Sequence, residues 1–210
     1  MRILFIGNSH TYYNDMAYLF AALGRASGLS LDVTMLTRGG ESLAGHIKNE
    51  QTRFNLLYGR YDLAVLQEVT SEFPEIKEYF DGVRTLKAWA DQGETRCGLY
   101  MNFESPQDTP PLSRMRPAVL AAGDAFGLSV ARVGEAFARA RIALPGVDLY
   151  AADRHHPSPE GSYLAALTLL HDLLDVRVRG LPAQICFGEQ TLVSLSPEAA
   201  DGMQRLVQAL

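Results

Sequence analysis

Residues 2–11 read RILFIGNSHT, an apolar run that stops at Gly7 and opens into a cluster of polar side chains. The apolar residues are consecutive rather than alternating, which is typical of a strand that is covered on both faces. Glycine permits a tight bend between a strand and the loop that follows it. The stretch therefore predicts a buried strand that delivers Ser9 at its carboxyl end.

Four further apolar runs are bounded by turn residues, at 31–36, 63–66, 97–101 and 128–133. Intervening stretches carry apolar residues at helical spacing, beginning at Met16, Ile76 and Leu112. Strands that alternate with helices in this way form a mostly parallel sheet between two helix layers. We expect an α/β fold, a three-layer α/β/α sandwich of flavodoxin-like type with about five parallel strands.

Two segments in the last third of the chain carry helix start signals. Residues 158–160 and 196–198 both read Ser-Pro-Glu, which supplies an N-cap, a proline at the first helical position and an acid in the first turn. Residues 175–195 lie between these helices and are expected to form a loop or a small strand pair. Residues 102–111 contain three prolines and are expected to form a loop over the edge of the sheet where ligands bind.

Composition restricts the class of protein. The chain has 210 residues, of which 47% are hydrophobic and 20% charged, as in a globular protein, and we expect a single domain over residues 1–210. Its net charge of -5 provides no basic surface for nucleic acid. No secretory signal or membrane-spanning run is evident, and the two cysteines are interpreted as free buried thiols. These features predict a cytoplasmic protein that binds neither membranes nor nucleic acids.

Ser9 has two candidate partners, Asp153 and His156, which follow the fifth predicted strand. A serine hydroxyl is a weak nucleophile unless a base takes its proton and a third group orients that base. An aspartate and a histidine three residues apart can share one loop. The pattern predicts acyl transfer, whereas a simpler interpretation treats residues 7–9 as a loop and a cap before the next helix.

The order of these segments resembles the SGNH (GDSL-like) hydrolase superfamily. Gly7-Asn8-Ser9 is similar to its first block, and residues 153–156 are similar to its Asp-x-x-His block. The resemblance implies that Ser9 is the nucleophile, His156 the base and Asp153 the residue that orients it. It also implies that the backbone N–H groups of Ser9 and Gly40 contribute to the oxyanion hole.

One block departs from the family pattern. The third block of the family contains an asparagine that completes the oxyanion hole, whereas the third predicted strand here ends in Leu66-Gln67-Glu68. The Gln67 amide can donate the same hydrogen bond from one methylene further away. The chain therefore resembles a branch with glutamine in this position, and Gln67 is the expected third donor.

Other polar residues near these blocks are candidates for the pocket or for structural roles. Asn8, His10, Tyr12 and His155 are candidate pocket residues, although packing is an alternative for each. A metal site made of His10, Asp153, His155 and His156 is the less favoured alternative, since paired ligand motifs on a helix are absent from the sequence. We expect no metal and no cofactor. His46 and His171 are expected to be structural or exposed to solvent.

The leading hypothesis is a serine hydrolase that cleaves small-molecule or carbohydrate esters, with a carbohydrate O-acetyl group among the candidate substrates. Two alternatives belong to other classes. One is a flavodoxin-like module that binds a phosphate or nucleotide at the Ser9 loop. The other is a degenerate member of the superfamily that serves as a carbohydrate-binding or scaffold domain. The oligomeric state is not predicted.

Overall fold

The computed structural model describes residues 1–70, 73–106 and 114–210. Its central sheet consists of β1 (Arg2–Gly7), β2 (Asp32–Thr37), β3 (Leu63–Gln67), β4 (Arg96–Tyr100) and β5 (Ser129–Ala131). The strands are arranged in the order β2-β1-β3-β4-β5, and all neighbouring pairs are parallel. This arrangement confirms the predicted α/β class and its parallel sheet.

Helices cover both faces of the sheet. They are α1 (Ser9–Tyr12), α2 (Met16–Ala26), α3 (Leu43–His46), α4 (Glu50–Tyr58), α5 (Ile76–Gln92), α6 (Met115–Phe126), α7 (Val133–Ala143), α8 (Pro159–Leu174) and α9 (Pro197–Gln208). On one face α8 packs against α2, α7 and α9, and on the other α5 packs against α3, α4 and α6. The protein is therefore a three-layer α/β/α sandwich.

The sheet separates two hydrophobic cores. Along β1, Ile3 and Phe5 join the core that contains α2 and α8, whereas Leu4 and Ile6 join the core that contains α5. All four side chains are at most 1% exposed. Burial of each one contributes about 1.5–3 kcal/mol, which explains why an uninterrupted apolar run was a reliable strand signal here.

Two strands differ from their expected form. β2 pairs only with β1 and lies at the edge of the sheet, so its side chains are half-buried or exposed. β5 covers only residues 129–131 of the predicted run 128–133. An edge strand is open on one side, and its apolar run is therefore not evidence of complete burial.

Helices α3, α4 and α7 were not predicted. α4 buries only Thr52 and Leu56, and therefore it shows almost no apolar periodicity. α7 packs against α8, and its buried residues include the small Ala136 and Ala140. Small side chains give a weak helical signal because they add little to an apolar stripe.

The two predicted helix caps are confirmed. Ser158 Oγ accepts the Gly161 N–H at 3.0 Å before α8, and Ser196 Oγ accepts the Ala199 N–H at 3.2 Å before α9. Residues 175–195 contain an antiparallel hairpin, β6 (Gln184–Phe187) and β7 (Gln190–Ser194). Of the loop expected at 102–111, residues 107–111 lie outside the described part of the chain.

The two cysteines differ in exposure. Cys97 is half-buried, and burial raises the pKa of its thiol to about 12. Cys186 is exposed on β6, which corrects the expectation that both thiols are buried. Among the described residues, no helix is both long enough and apolar enough to cross a bilayer.

The direction in which successive strands are added to the sheet reverses between β1 and β3. From β1 the chain proceeds to β2 on one side, and later strands are added beyond β3 on the other side. In sheets of this order, the crevice at the carboxyl ends of these two central strands is the usual ligand site. Gly7 and Gln67 end these two strands, so the predicted first and third blocks lie side by side.

Candidate active site

Ser9 lies at the first position of α1, directly after β1. Asn8 precedes it in an extended conformation and caps the short helix, because its Oδ1 accepts the His10 N–H at 3.2 Å. Gly7 leaves no room for a side chain, since a Cβ there would lie 2.5 Å from Gln67 Oε1. The local sequence thus turns the chain sharply and places the Ser9 hydroxyl at the edge of the sheet.

The structure brings together the three residues predicted to act on the ester. His156 Nε2 lies 2.9 Å from Ser9 Oγ, and His156 Nδ1 lies 2.6 Å from Asp153 Oδ2. The other carboxylate oxygen, Asp153 Oδ1, accepts the backbone N–H groups of His155 at 3.0 Å and His156 at 2.9 Å. Serine, imidazole and carboxylate therefore form one continuous hydrogen-bonded chain.

Asp153 carries a negative charge that fixes the imidazole tautomer. The His156 hydrogen bond, together with the His155 and His156 backbone N–H groups, holds the pKa of Asp153 well below its ordinary value. An ionised carboxylate accepts the proton on Nδ1 and leaves Nε2 with a free lone pair. Nε2 is thus placed to accept the Ser9 hydroxyl proton.

The loop that carries Asp153 and His156 is closed by backbone hydrogen bonds. The Ala151 N–H donates to the His156 carbonyl at 2.8 Å, and the Arg154 N–H donates to the Ala151 carbonyl at 2.9 Å. Tyr150 and Pro157 form an isolated antiparallel bridge across its base. The loop leads directly into the capped start of α8, so the position of the imidazole depends on a rigid helix.

Gly40 lies in the turn between β2 and α3. Its φ of +67° falls in the left-handed region that favours glycine, and a Cβ there would contact nothing within 4 Å. The turn is joined to the first block, because Asn8 Nδ2 donates to the Glu41 carbonyl at 3.1 Å. The role of Gly40 in an oxyanion hole stays a prediction.

Gln67 is 1% exposed, and its amide supports the first block. Oε1 accepts both the Asn8 N–H and the Thr11 hydroxyl at 2.9 Å, and Nε2 donates to the Glu68 carbonyl. Of the two hydrogens on Nε2, one therefore has no acceptor within the described part of the chain. The role of Gln67 as an oxyanion donor stays a prediction that depends on this second hydrogen.

The four candidate pocket residues differ in exposure. Asn8 is 1% and His10 3% exposed, whereas Tyr12 is 36% exposed and His155 is half-buried. Burial, with a contribution from His155, lowers the pKa of His10 to about 3, so its ring is neutral. His10 Nε2 lies 3.2 Å from the His155 carbonyl, to which it donates. His10 thus fixes the backbone next to His156.

Glu68 belongs to the third block, and no role was predicted for it from the sequence. It is 4% exposed, and its carboxylate accepts the N–H groups of Leu43 at 3.2 Å and Val69 at 2.8 Å. Burial raises the pKa of Glu68 to about 7. Burial depends on how distant elements pack, so only tertiary structure could reveal this shift.

The remaining histidines lie outside the hydrogen-bonded chain. His46 is 2% exposed, and its ring nitrogens contact the Gly7 carbonyl at 2.8 Å and the Thr52 hydroxyl at 3.2 Å. His171 contacts the Asp172 carboxylate at 2.8 Å on α8. Both are therefore in structural contacts. Within the described residues, no group of three or more His, Cys, Asp or Glu side chains is arranged to hold a metal ion.

Comparison with known proteins identifies structural relatives. No protein-family model and no curated protein sequence matches the chain. Among solved structures, a protein from Slackia heliotrinireducens assigned to the SGNH hydrolases is 32% identical, with a TM-score of 0.70; the match covers 82% of this chain and 98% of that protein.

Two further similar structures share the fold at lower identity. A catalytic mutant of an acetylxylan esterase from Geobacillus stearothermophilus is 16% identical, with a TM-score of 0.64, and covers 81% of this chain and 92% of its own. A psychrotrophic esterase from a Pseudoalteromonas species, inhibited by monoethylphosphonate, is 14% identical, with a TM-score of 0.62, and covers 83% of this chain and 97% of its own.

Proposed function

The chain belongs to the SGNH hydrolase superfamily, and from this premise we propose that it hydrolyses carboxylic esters through an acyl-enzyme on Ser9. The observation that carries the proposal is the hydrogen-bonded chain from Ser9 Oγ through His156 to Asp153, with distances of 2.9 and 2.6 Å. This is the arrangement that activates a serine hydroxyl toward an acyl group.

In the first half of the reaction, Ser9 Oγ attacks the ester carbonyl carbon while His156 Nε2 takes the hydroxyl proton. The carbonyl oxygen becomes an oxyanion, and the imidazolium is stabilised by the Asp153 carboxylate. Collapse of the tetrahedral intermediate breaks the bond to the alkoxide, which leaves as an alcohol with the proton from His156. The acyl group stays on Ser9.

In the second half, water replaces the alcohol. His156 Nε2 takes a proton from the water as its oxygen attacks the acyl carbon. The second tetrahedral intermediate collapses, the bond to Ser9 Oγ breaks, and the proton returns to Ser9. The products are the alcohol and the carboxylic acid, and the enzyme regains its starting state.

The oxyanion donors in this proposal are the backbone N–H groups of Ser9 and Gly40 and the free Nε2–H of Gln67. Loss of one such donor typically costs about 2.7–4 kcal/mol of transition-state stabilisation. Gln67 already donates one hydrogen to the Glu68 carbonyl and accepts two hydrogen bonds at Oε1. These contacts hold the amide rigidly, which suits a preorganised donor.

The proposed substrate class is a carbohydrate O-acetyl ester. Its support is the fold shared with the acetylxylan esterase and the position of Ser9 directly after β1, at the carboxyl-terminal edge of the sheet. A panel of acetylated xylan, acetylated glucosides and p-nitrophenyl esters of increasing chain length tests this assignment. Release of acetate from the carbohydrates, with decreasing rates for longer acyl chains, is the expected result.

A fluorophosphonate probe tests the nucleophile. We expect the probe to label the wild-type protein and not Ser9→Ala, while Ser27→Ala, at the distant end of α2, retains labelling. Turnover of p-nitrophenyl acetate should be lost in His156→Ala. Equal labelling of wild type and Ser9→Ala would reject the acyl-enzyme, and nucleotide binding without turnover would favour the phosphate-binding alternative.

A further inference from the structure

The segment directly after α1, residues 13–15, has an unusual backbone conformation. Asn14 and Asp15 both have φ of 52°, with ψ of 30° and 41°, so two successive non-glycine residues adopt the left-handed conformation. This conformation is costly for L-residues, although Asn and Asp tolerate it better than most. Such a kink persists only where the surrounding contacts hold it in place, and it is a common feature of functional sites.

The contacts that hold this kink extend to the histidine loop. Asn14 Nδ2 donates to the Pro157 carbonyl at 2.9 Å and to Ser162 Oγ at 2.9 Å. Ser162 Oγ in turn donates to the Tyr13 carbonyl at 3.4 Å. Ser162 lies in α8 and is fully buried. The kink is therefore tied to the residue that follows His156 and to the helix behind it.

The same kink places an aromatic ring on the imidazole. The Tyr13 and His156 ring centroids are 3.9 Å apart, and the ring planes differ by 5°. The residue that precedes His156 is held as well, because His10 donates to the carbonyl of His155. The carbonyls immediately before and after His156 are thus both held by the segment that follows Ser9.

We propose that Tyr13 and Asn14 are positioning residues for His156. Asn14 fixes the backbone of the histidine loop relative to Ser9, and the Tyr13 ring fixes the plane of the imidazole. When His156 takes the Ser9 proton, the face of Tyr13 also stabilises the imidazolium, because an aromatic face attracts a cation within about 6 Å. The kinetic part of this assignment rests on the proposed hydrolase function.

Substitutions of Tyr13 test the stacking. Tyr13→Ala should lower kcat about tenfold and leave KM within about twofold, since the ring acts on the base and not on the substrate. Tyr13→Phe retains the aromatic face and should stay within about twofold of wild type. Tyr58→Ala, an exposed tyrosine on α4, is the matched control and should not change kcat.

The pH dependence of kcat/KM distinguishes an effect of Tyr13 on His156 from an effect on the stability of the protein. Loss of the ring removes support for the imidazolium, so the acid midpoint of kcat/KM should move to lower pH by about half a unit in Tyr13→Ala. Among the described residues, the titratable groups that face the imidazole are the Asp153 carboxylate and the rings of His10 and His155. None of them is altered by the substitution.

Asn14→Gly and Asp15→Gly form a second matched pair. Glycine adopts a φ of 52° freely, so both variants relieve backbone strain, but only Asn14→Gly removes the hydrogen bonds to Pro157 and Ser162. We expect kcat to fall about three- to tenfold in Asn14→Gly and to stay at the wild-type value in Asp15→Gly. Equal kcat in these two variants would overturn the role of Asn14.

An experiment without turnover distinguishes this inference from the proposed function. The titration of His156, followed by NMR in a Ser9→Ala background, should shift to lower pH on Tyr13→Ala and not on Tyr13→Phe. An unchanged titration, or a Phe variant as impaired as the Ala variant, would overturn the role of Tyr13. If wild type fails to react with the fluorophosphonate probe, the hydrolase proposal fails while the titration still tests the stacking.

Discussion

The Ser9 hydroxyl oxygen and His156 Nε2 lie 2.9 Å apart, although the two residues are separated by 147 positions in the chain. Ser9 follows the central strand β1, and His156 lies two residues before Ser158, the N-cap of helix α8. β1 is buried in the sheet, and α8 packs on α2, α7 and α9. Because both partners are attached to rigid elements, the reacting groups are already aligned before a substrate binds.

Asp153→Asn should reduce kcat by between about 10²- and 10⁴-fold. An asparagine amide can donate to Nδ1, which places the imidazole proton on Nε2, where it can no longer accept the Ser9 proton. The expected KM change is small. Asp175→Asn at the end of α8 is the control, since asparagine tolerates its left-handed conformation. Steady-state kinetics with p-nitrophenyl acetate measure the difference, and similar kcat values for Asp153→Asn and wild type would contradict the proposed role.

As the pH falls, the activity should depend on the protonation of a single group, His156. The pKa of Asp153 is held well below its ordinary value, so this carboxylate stays charged as the pH falls through the range in which histidines titrate. We expect kcat/KM to fall with decreasing pH as His156 gains a proton, with a limiting slope of one. A flat profile across pH 5–8 would exclude His156 as the base.

Gly40→Ala should impair both folding and catalysis, whereas Gly28→Ala should impair folding alone. Both glycines have positive φ, +67° and +96°, and a Cβ at either position meets no atom within 4 Å. The shared penalty is therefore conformational and amounts to about 1–2 kcal/mol. Only Gly40 is proposed to present its N–H to the oxyanion, so we expect kcat to drop at least tenfold in that variant alone. Urea unfolding and kcat, measured on both variants, separate the two effects.

Glu68 should make the protein less stable as the pH rises. Its ordinary pKa of 4.5 is raised by burial to about 7, and repulsion from Glu78 and Glu41 adds to the shift. Between these values the unfolded chain releases the proton while the folded chain retains it, so the free energy of unfolding decreases as the pH rises. The contribution at pH 7 and above is about 3 kcal/mol of destabilisation.

Glu68→Gln should remove that pH dependence while the amide oxygen still accepts from Leu43 and Val69. Urea unfolding at pH 5 and pH 8 measures the slope in both proteins. The exposed Glu189→Gln on the β6–β7 hairpin is the control and should behave as wild type. If the free energies of unfolding of wild type and Glu68→Gln differ by the same amount at both pH values, the buried acid does not retain its proton.

His10 should have the opposite effect on stability. Burial lowers its pKa from 6.5 to about 3, so the unfolded chain binds a proton that the folded chain refuses as the pH falls. The protein therefore loses stability below about pH 6.5, by about 2 kcal/mol at pH 5. His10→Gln retains a donor for the His155 carbonyl and should abolish this loss. Unfolding free energies at pH 5 and pH 7 test it, and an unchanged slope would contradict the burial argument.

Much of this fold could be predicted from local pattern. The apolar runs of β1, β3 and β4 are buried on both faces, so they stand out as strands, and the Ser-Pro-Glu signals mark the beginnings of α8 and α9. The parallel order then places Ser9 and Gln67 at one edge. Helices α4 and α7 were missed because their buried faces are small or sparse, and burial is what produces the signal.

The amino-acid sequence alone determined the strands, the bend at Gly7 and the three-residue spacing that puts Asp153 and His156 in one loop. These features depend on residues that are neighbours in the chain: the spacing of apolar residues, the presence of glycine and the length of a loop. Tertiary structure alone decided that Tyr13 stacks on His156, that the Gln67 amide binds Asn8 and Thr11, and that Glu68 is buried. These contacts join segments far apart in the chain, and their geometry depends on how whole helices and strands pack together.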